Sequence, residues 1–154
     1  VDTIVISHEH DDHCNGIPSI IERFGVDNIF VSKFFLQSGK KIELLKLFTK
    51  EKIETGLLAD GLEIKGYEPA KIMVVNPPDK DILKDEGFPL ESISINDSSS
   101  VLLIDYMGYR ILLCADLGET GIKMFLSRHG DTGADVIQIP HHGGYIENTE
   151  DVFR

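Results

Sequence analysis

The residues with the clearest chemical potential lie near the start of the chain. Six consecutive positions, His8-Glu9-His10-Asp11-Asp12-His13, place three imidazoles and three carboxylates together. Neutral imidazole and carboxylate are the side chains that bind zinc and other divalent transition metals. Side chains two positions apart on an extended segment lie on the same side, so His8 and His10 can bind one ion. Asp12 and His13 follow in the turn beyond and could hold a second ion nearby.

Further candidates occur where apolar runs end. Asp116 follows one such run, and His141 and His142 follow another. Taken alone, Asp116 would be a turn or N-cap aspartate, the histidine pair would belong to a loop, and the hexapeptide would be a polar loop or an adventitious chelator. In α/β folds, however, side chains that follow neighbouring strands converge at one edge of the sheet. We therefore expect these residues to form one metal site.

The elements that must position these side chains alternate along the chain. Apolar and β-branched runs predict strands. Two of these runs, 99–106 and 110–115, predict a hairpin with a tight turn at Met107-Gly108. Apolar residues at helical spacing, with proline or glycine at the ends, predict helices. The predicted strands are 3–7, 28–31, 71–75, 99–106, 110–115 and 134–139, and the predicted helices are 16–24, 40–52 and 119–128. This order predicts an α/β fold.

The composition limits the possible functions. The 154 residues carry 26 acidic and 15 basic side chains, and the formal charge of −11 argues against broad adhesion to nucleic acid. Six lysines and two glutamates between positions 33 and 52 form a basic segment, which is either a solvated helix face or a guide for a phosphate backbone. The six lysines are Lys33, Lys40, Lys41, Lys46, Lys50 and Lys52.

Several other functional classes lack support in the sequence. No apolar run approaches the ~20 residues that cross a bilayer, so we expect no membrane segment in this chain. Cys14 and Cys114 are too few for a disulfide framework, which favours buried, reduced thiols and a cytoplasmic setting. No P-loop, dinucleotide-binding glycine motif or G-x-S-x-G motif occurs. His129 lies at a predicted helix end, where we expect it to contact terminal carbonyls.

The motifs resemble those of a known superfamily. His8-x-His10-x-Asp12-His13 resembles the HxHxDH signature of the metallo-β-lactamase-fold hydrolases. Residues 96–103, 113–117 and 135–144 resemble the N-x-x-S-V-L, L-x-G-D and P-H-H-G-S blocks of its ComEC/Rec2-type branch. The blocks occur in the expected order over almost the whole chain.

The resemblance implies a fold and a set of metal ligands. It implies an αβ/βα sandwich, truncated at both ends, with residues 1–154 forming one partial metallo-hydrolase domain that other segments of a larger protein would complete. It implies two divalent ions, zinc first and manganese or iron as alternatives. In that superfamily Asp116 would bridge the ions. The implied ligands are His8, His10, Asp12, His13, Asp116 and His142, with His141 as the alternative to His142.

One departure from the superfamily pattern concerns a ligand. No histidine occurs between His13 and His129, so the imidazole that many members place before the bridging aspartate is absent. Asn96 or Ser98 would occupy that region, or the first ion would be held more weakly. Asn96, Ser98 and His141 are therefore the candidates to line the site.

The resemblance also implies a reaction. A water or hydroxide shared by two ions would be the nucleophile, Asp12 would orient it, and a nearby histidine would protonate the leaving group. Because ComEC/Rec2-like domains are implicated in DNA uptake, the implied substrate is single-stranded nucleic acid or a smaller phosphoester. The alternatives are a small-molecule ester, amide or thioester hydrolase and a non-catalytic metal-binding module.

Overall fold

The computed structural model describes residues 1–39, 41–85, 87 and 89–147. Its strands are β1 (Thr3–Val5), β2 (Asn28–Ser32), β3 (Glu54–Leu58), β4 (Glu63–Ile64), β5 (Ala70–Asn76), β6 (Val101–Tyr106), β7 (Tyr109–Leu113) and β8 (Val136–Gln138). Its helices are α1 (Asp11–Cys14), α2 (Ile17–Phe24), α3 (Lys33–Gln37), α4 (Ile42–Lys50), α5 (Lys80–Asp85) and α6 (Glu119–His129). Short 3-10 turns span Leu90–Ser92 and His141–Gly143.

The strands form two sheets with different connections. Strands β1, β2 and β3 are parallel, and helices connect them, as parallel neighbours require. The second sheet has the order β4-β5-β6-β7-β8, with antiparallel pairs except for the parallel pair β7 and β8. The carboxyl ends of β7 and β8 therefore lie at the same edge, and Asp116 and His141-His142 follow them.

Alternating side chains divide the interior into three apolar layers. Ile4 and Ile6 pack with residues of α2, α3 and α4 on the outer face of the first sheet. Val5 points the other way and packs against Val74 and Leu102 of the second sheet. The outer face of the second sheet packs against α6 through buried residues that include Phe125. This arrangement of helix, two sheets and helix is the predicted αβ/βα sandwich.

Several sequence predictions are confirmed with small changes in their ends. The hairpin of β6 and β7 turns at Met107 and Gly108, which both have positive φ. The predicted helix at 40–52 is α4, Ile42–Lys50, and Lys40 lies outside the described residues. The predicted first strand, 3–7, is shorter, because the chain leaves the sheet after Val5.

Other features differ from the sequence predictions. The strand predicted as buried at 134–139 is the three-residue edge strand β8, where Val136 is exposed because the first sheet is too narrow to cover it. Strands β3 and β4 and helices α3 and α5 have no counterpart among the predicted elements. Among the helices described here, none is both long enough and apolar enough to cross a bilayer.

Candidate metal centre

The hexapeptide changes direction at His10, and this brings its side chains together. His10 has an extended backbone (φ −66°, ψ 152°) and is the N-cap of α1, so His8 and His10 precede the helix and Asp12 and His13 lie inside it. His8 Nε2 is 3.1 Å from His10 Nδ1, as the shared side of an extended segment predicts. The turn of α1 then directs Asp12 and His13 to a neighbouring position.

The loop that carries Asp116 is held by a side chain of β8. The Ala115 N–H donates to Gln138 Oε1 at 2.7 Å, and Gln138 Nε2 donates to the Ala115 carbonyl at 3.4 Å. The His141 N–H donates to the same carbonyl at 3.0 Å. Ala115 has a positive φ of 50°, so these bonds hold a sharp turn directly before Asp116.

Six side chains form two groups of possible ligands that share Asp116. We call His8, His10 and Asp116 the inner group, and Asp12, His13, Asp116 and His142 the outer group; in each, the ligand atoms lie within 4.8 Å of one another. Asp116 Oδ2 is 3.9 Å from His8 Nε2, 3.2 Å from His13 Nε2 and 3.3 Å from His142 Nε2. His142 Nε2 is also 3.4 Å from Asp12 Oδ2.

The two groups differ in exposure, and burial shifts the pKa of His8. The side chains of His8 and Asp116 are 1% and 5% exposed, whereas those of Asp12 and His142 are 61% and 63% exposed. Burial, assisted by the neighbouring His13, lowers the pKa of His8 to about 4, although Asp116 opposes the shift. Desolvation raises the pKa of Asp12, but its own backbone N–H and the His13 and His142 imidazoles lower it overall. At neutral pH His8 is therefore a neutral imidazole and Asp12 a charged carboxylate.

The donor set fits divalent cations. His13 Nε2 is buried and makes no hydrogen bond to the residues that the structure describes. This nitrogen lies 3.2 Å from Asp116 Oδ2 without forming a hydrogen bond, and a cation bound by both atoms would satisfy it. Imidazole and carboxylate in groups of three and four are typical zinc ligands. Asp116 lies in both groups, so the arrangement has the form of a binuclear centre.

The remaining site candidates lie around these groups. His141 is outside both groups, and its Nε2 is 3.4 Å from Asn96 Nδ2, which favours His142 over His141 as the ligand. Asn96 Oδ1 is buried without a hydrogen-bond partner among the described residues. Ser98 donates to the Ile95 carbonyl at 2.8 Å and lines a cavity of about 220 Å³ beside His8.

Two predictions about isolated residues have different outcomes. His129 does not contact terminal carbonyls as expected: its Nε2 is 3.0 Å from both carboxylate oxygens of Asp60, a partner that only the tertiary fold brings close. The two cysteines are buried, free thiols, as predicted. Burial raises the pKa of Cys14, and it raises the pKa of Cys114 to about 12, so both are unreactive.

The basic segment is largely neutralised by neighbouring carboxylates. Lys33 and Lys41 form ion pairs with Asp79 and Asp11. Lys46 pairs with Glu43 at 2.7 Å and Lys50 with Glu51 at 3.1 Å. Paired surface lysines attract a polyanion less than free ones, so the solvated helix face is the better interpretation.

Comparisons with known proteins bear on the family and the fold. The family model of the metallo-beta-lactamase superfamily matches residues 1–153. ComE operon protein 3 of Bacillus subtilis (strain 168) is 25% identical over 145 residues, which are 93% of this chain and 17% of that protein. Zn(2+)-bound PqqB from Methylobacterium extorquens superposes with a TM-score of 0.59 at 13% identity, over 88% of this chain and 44% of that one. CmlA, a diiron β-hydroxylase from Streptomyces venezuelae, superposes with a TM-score of 0.58 at 18% identity, over 100% of this chain and 30% of that one.

These relatives are all longer than the chain. The 154 residues span less than half the length of each of these three proteins. The likeness to the two solved structures is a likeness of fold.

Proposed function

The chain belongs to the metallo-beta-lactamase superfamily, and on that basis we propose that it is a metal-dependent hydrolase with a binuclear centre. One observation carries the proposal: the Asp116 carboxylate belongs to both groups of ligand atoms. Two cations close enough to share a carboxylate are the arrangement that stabilises both the attacking and the leaving oxygen of a displacement. A single structural ion would not need a second set of donors.

The proposal assigns a ligand set to each ion. His8 and His10 would hold the inner ion, Asp12, His13 and His142 the outer ion, and Asp116 both. We propose zinc because the set is rich in imidazole; manganese and iron suit the same donors. When bound, such ions lower the pKa of water towards neutrality and polarise the electrophilic oxygen of the substrate.

The chain's own residues would then handle the protons. The exposed Asp12 carboxylate can accept a proton from the attacking water and fix its orientation. His141 lies at the rim, where its ring nitrogen contacts Asn96, and can donate a proton to the leaving group. The substrate would approach through a cleft of about 410 Å³ that is lined in part by His13, Asp116 and His142.

We propose a phosphodiester as the substrate, with nuclease-like activity. The support is the similarity to ComE operon protein 3 and to the ComEC/Rec2-type motif blocks. A second candidate is a small-molecule ester, amide or thioester hydrolase. It is favoured by the net charge of −11 and by the ion pairs that four lysines of the basic segment form with carboxylates.

Metal analysis combined with a substrate screen tests the proposal. Zinc content is measured by mass spectrometry, and turnover is followed on single-stranded DNA, bis(p-nitrophenyl) phosphate, p-nitrophenyl acetate and a chromogenic lactam. We expect about two zinc ions per chain, and we expect Asp12→Ala and Asp116→Asn to lower turnover at least ~100-fold. Asp81→Asn, an exposed aspartate on α5 paired with Lys84, is the matched control.

The outcomes separate the candidates. Phosphodiester turnover supports the nuclease, and turnover only on the acetate or the lactam supports the small-molecule hydrolase. One ion or none, without turnover on any substrate, supports the non-catalytic module. Activity that persists undiminished in both variants would show that the proposed mechanism is wrong.

A further inference from the structure

One hydroxyl group contacts histidines of both ligand groups. Ser7 Oγ is 3.1 Å from His8 Nδ1 and 3.3 Å from His13 Nδ1. His8 belongs to the inner group and His13 to the outer group, and their ring centroids are 4.1 Å apart. Ser7 therefore lies behind both rings, on the side away from the Asp116 carboxylate.

The positions of the protons follow from this geometry. Both rings present Nε2 to Asp116 Oδ2, at 3.9 Å for His8 and 3.2 Å for His13. A nitrogen that binds a cation must offer a lone pair, so the proton of a neutral imidazole then resides on Nδ1. A hydroxyl oxygen can accept two hydrogen bonds, and Ser7 Oγ can accept one from each Nδ1–H.

We propose that Ser7 is a positioning residue that accepts hydrogen bonds from both imidazoles and thereby directs the Nε2 lone pairs of His8 and His13 at the two ion positions. This inference rests on the proposed function, because it assumes that both rings are ligands. An acceptor behind a ligating histidine fixes its tautomer and its orientation. Here one acceptor would serve both halves of the centre.

The backbone holds Ser7 firmly in this position. The Ser7 carbonyl accepts a hydrogen bond from the Ser100 N–H at 2.8 Å, and the preceding Ile6 N–H donates to the Phe30 carbonyl at 2.9 Å. These bonds connect Ser7 to segments of both sheets. The Ser7 hydroxyl therefore has a fixed place relative to β2 and to the segment that leads into β6.

The two histidines depend on Ser7 to different degrees. His8 Nδ1 has a second hydroxyl nearby, because Ser99 Oγ is 3.5 Å away. Within the described part of the chain, His13 Nδ1 has no such second hydroxyl. Removal of the Ser7 hydroxyl should therefore weaken the outer ion position more than the inner one.

Nitrogen NMR of the histidine side chains tests the proposal directly. We would compare wild type, Ser7→Ala and Ser7→Thr, each metal-free and loaded with zinc, and measure zinc affinity by chelator competition. We expect Nδ1–H on His8 and His13 in wild type, and an Nε2–H population on His13 in metal-free Ser7→Ala. Zinc affinity at the outer ion position should fall about 10-fold or more in Ser7→Ala. Ser7→Thr should restore both the Nδ1–H tautomer of His13 and the zinc affinity.

Ser100→Ala is the matched control, since it removes a buried serine hydroxyl that makes no hydrogen bond to the described residues. It should change zinc affinity less than twofold. Nε2–H on His8 or His13 in the wild type overturns the proposal, whether or not zinc binds. Unchanged affinity and tautomers in Ser7→Ala overturn it as well, while two bound zinc ions would leave the proposed function intact.

Discussion

Burial sets the protonation state of His8, the most enclosed histidine of the candidate centre. Ionised imidazole is disfavoured at His8, which is enclosed by protein and adjacent to His13. The Asp12 and His142 side chains, in contrast, face solvent. His8 is therefore ready to bind a cation at neutral pH without first losing a proton.

Acid should destabilise the metal-free protein through His8. Its pKa falls from 6.5 in the unfolded chain to about 4 in the fold, so the unfolded state binds the proton more readily. The contribution of His8 to the free energy of unfolding is complete above pH 6.5 and is lost as the pH falls towards 4. The full loss is about 3 kcal/mol.

Urea unfolding in the presence of a chelator, between pH 7.5 and 4.5, measures this loss. His8→Gln removes the titrating group and should flatten the dependence on pH in that range. Parallel curves for wild type and variant would contradict the prediction.

The sequence identifies the residues with ligand chemistry, but it does not identify the residues that position those ligands through hydrogen bonds. Histidine and aspartate at short spacing are informative because few other roles explain them. Ser7 and Gln138 carry no such signal, since serine and glutamine are common in polar segments and their partners come from distant positions. The prediction for His129 was wrong because Asp60 becomes its neighbour only through folding.

The helix α6 begins with help from a remote carboxylate. Its N-cap is Gly118, which has no side chain, and Asp97 Oδ1 instead accepts a hydrogen bond from the Gly121 N–H at 2.8 Å. Asp97 Oδ2 accepts bonds from the backbone and hydroxyl of Ser94 at 3.0 and 2.6 Å. Asp97 thus links the segment around Ser94 to the first turn of α6, and α6 begins shortly after Asp116.

The backbone of Asp97 lies close to Gly121 of α6, and we therefore predict that Gly121→Ala destabilises the protein. Alanine in a helix usually stabilises by up to ~1 kcal/mol relative to glycine. A Cβ at Gly121, however, would lie 2.8 Å from the carbonyl oxygen of Asp97 and 2.9 Å from its Cα, which are backbone atoms that cannot move aside easily. We expect a net loss of about 1–3 kcal/mol.

Chemical denaturation measures this effect, and Gly16→Ala is its control. Gly16 has a helical φ of −77°, and a Cβ added there would meet nothing within 4 Å, so alanine should change stability by less than ~0.5 kcal/mol. A Gly121→Ala variant as stable as wild type would show that the contact with Asp97 relaxes without cost.

Elements with a strong local signal were predictable, and elements defined by their neighbours were not. The hairpin has a turn that needs positive φ between two apolar runs, and α2 has a proline in its first turn. The residues of β3 lack clear alternation and are mostly exposed, so their strand character depends on pairing with β2. The exposure of β8 depends on the width of the other sheet, which no local pattern encodes.

The centre draws its ligands from segments that follow both sheets. His8 to His13 follow β1 of the first sheet, whereas Asp116 and His142 follow β7 and β8 of the second. An ion held by both sets would join the two sheets at one edge. The alternation of elements predicted the α/β class, but the order of strands within each sheet was not readable from the sequence.

Zinc should therefore stabilise the whole fold. At a free concentration about 100 times the dissociation constant, a single ion adds about 2.7 kcal/mol to the free energy of unfolding. For a chain of this size the melting temperature should rise by about 5–10 °C. Scanning calorimetry with and without zinc measures the shift.

Asp116→Asn is the critical comparison, because it weakens both groups at once. We expect less than half of the wild-type shift in this variant. An equal shift in the two proteins would mean that zinc binds elsewhere on the surface.

The shared carboxylate also constrains how such a centre can change over generations. A substitution at Asp12, His13 or His142 removes a donor from the outer group alone and leaves the three inner donors in place. A substitution at Asp116 affects both groups together. The outer ion position can therefore be lost by a single substitution that leaves the inner donors unchanged, whereas no substitution at position 116 spares either position.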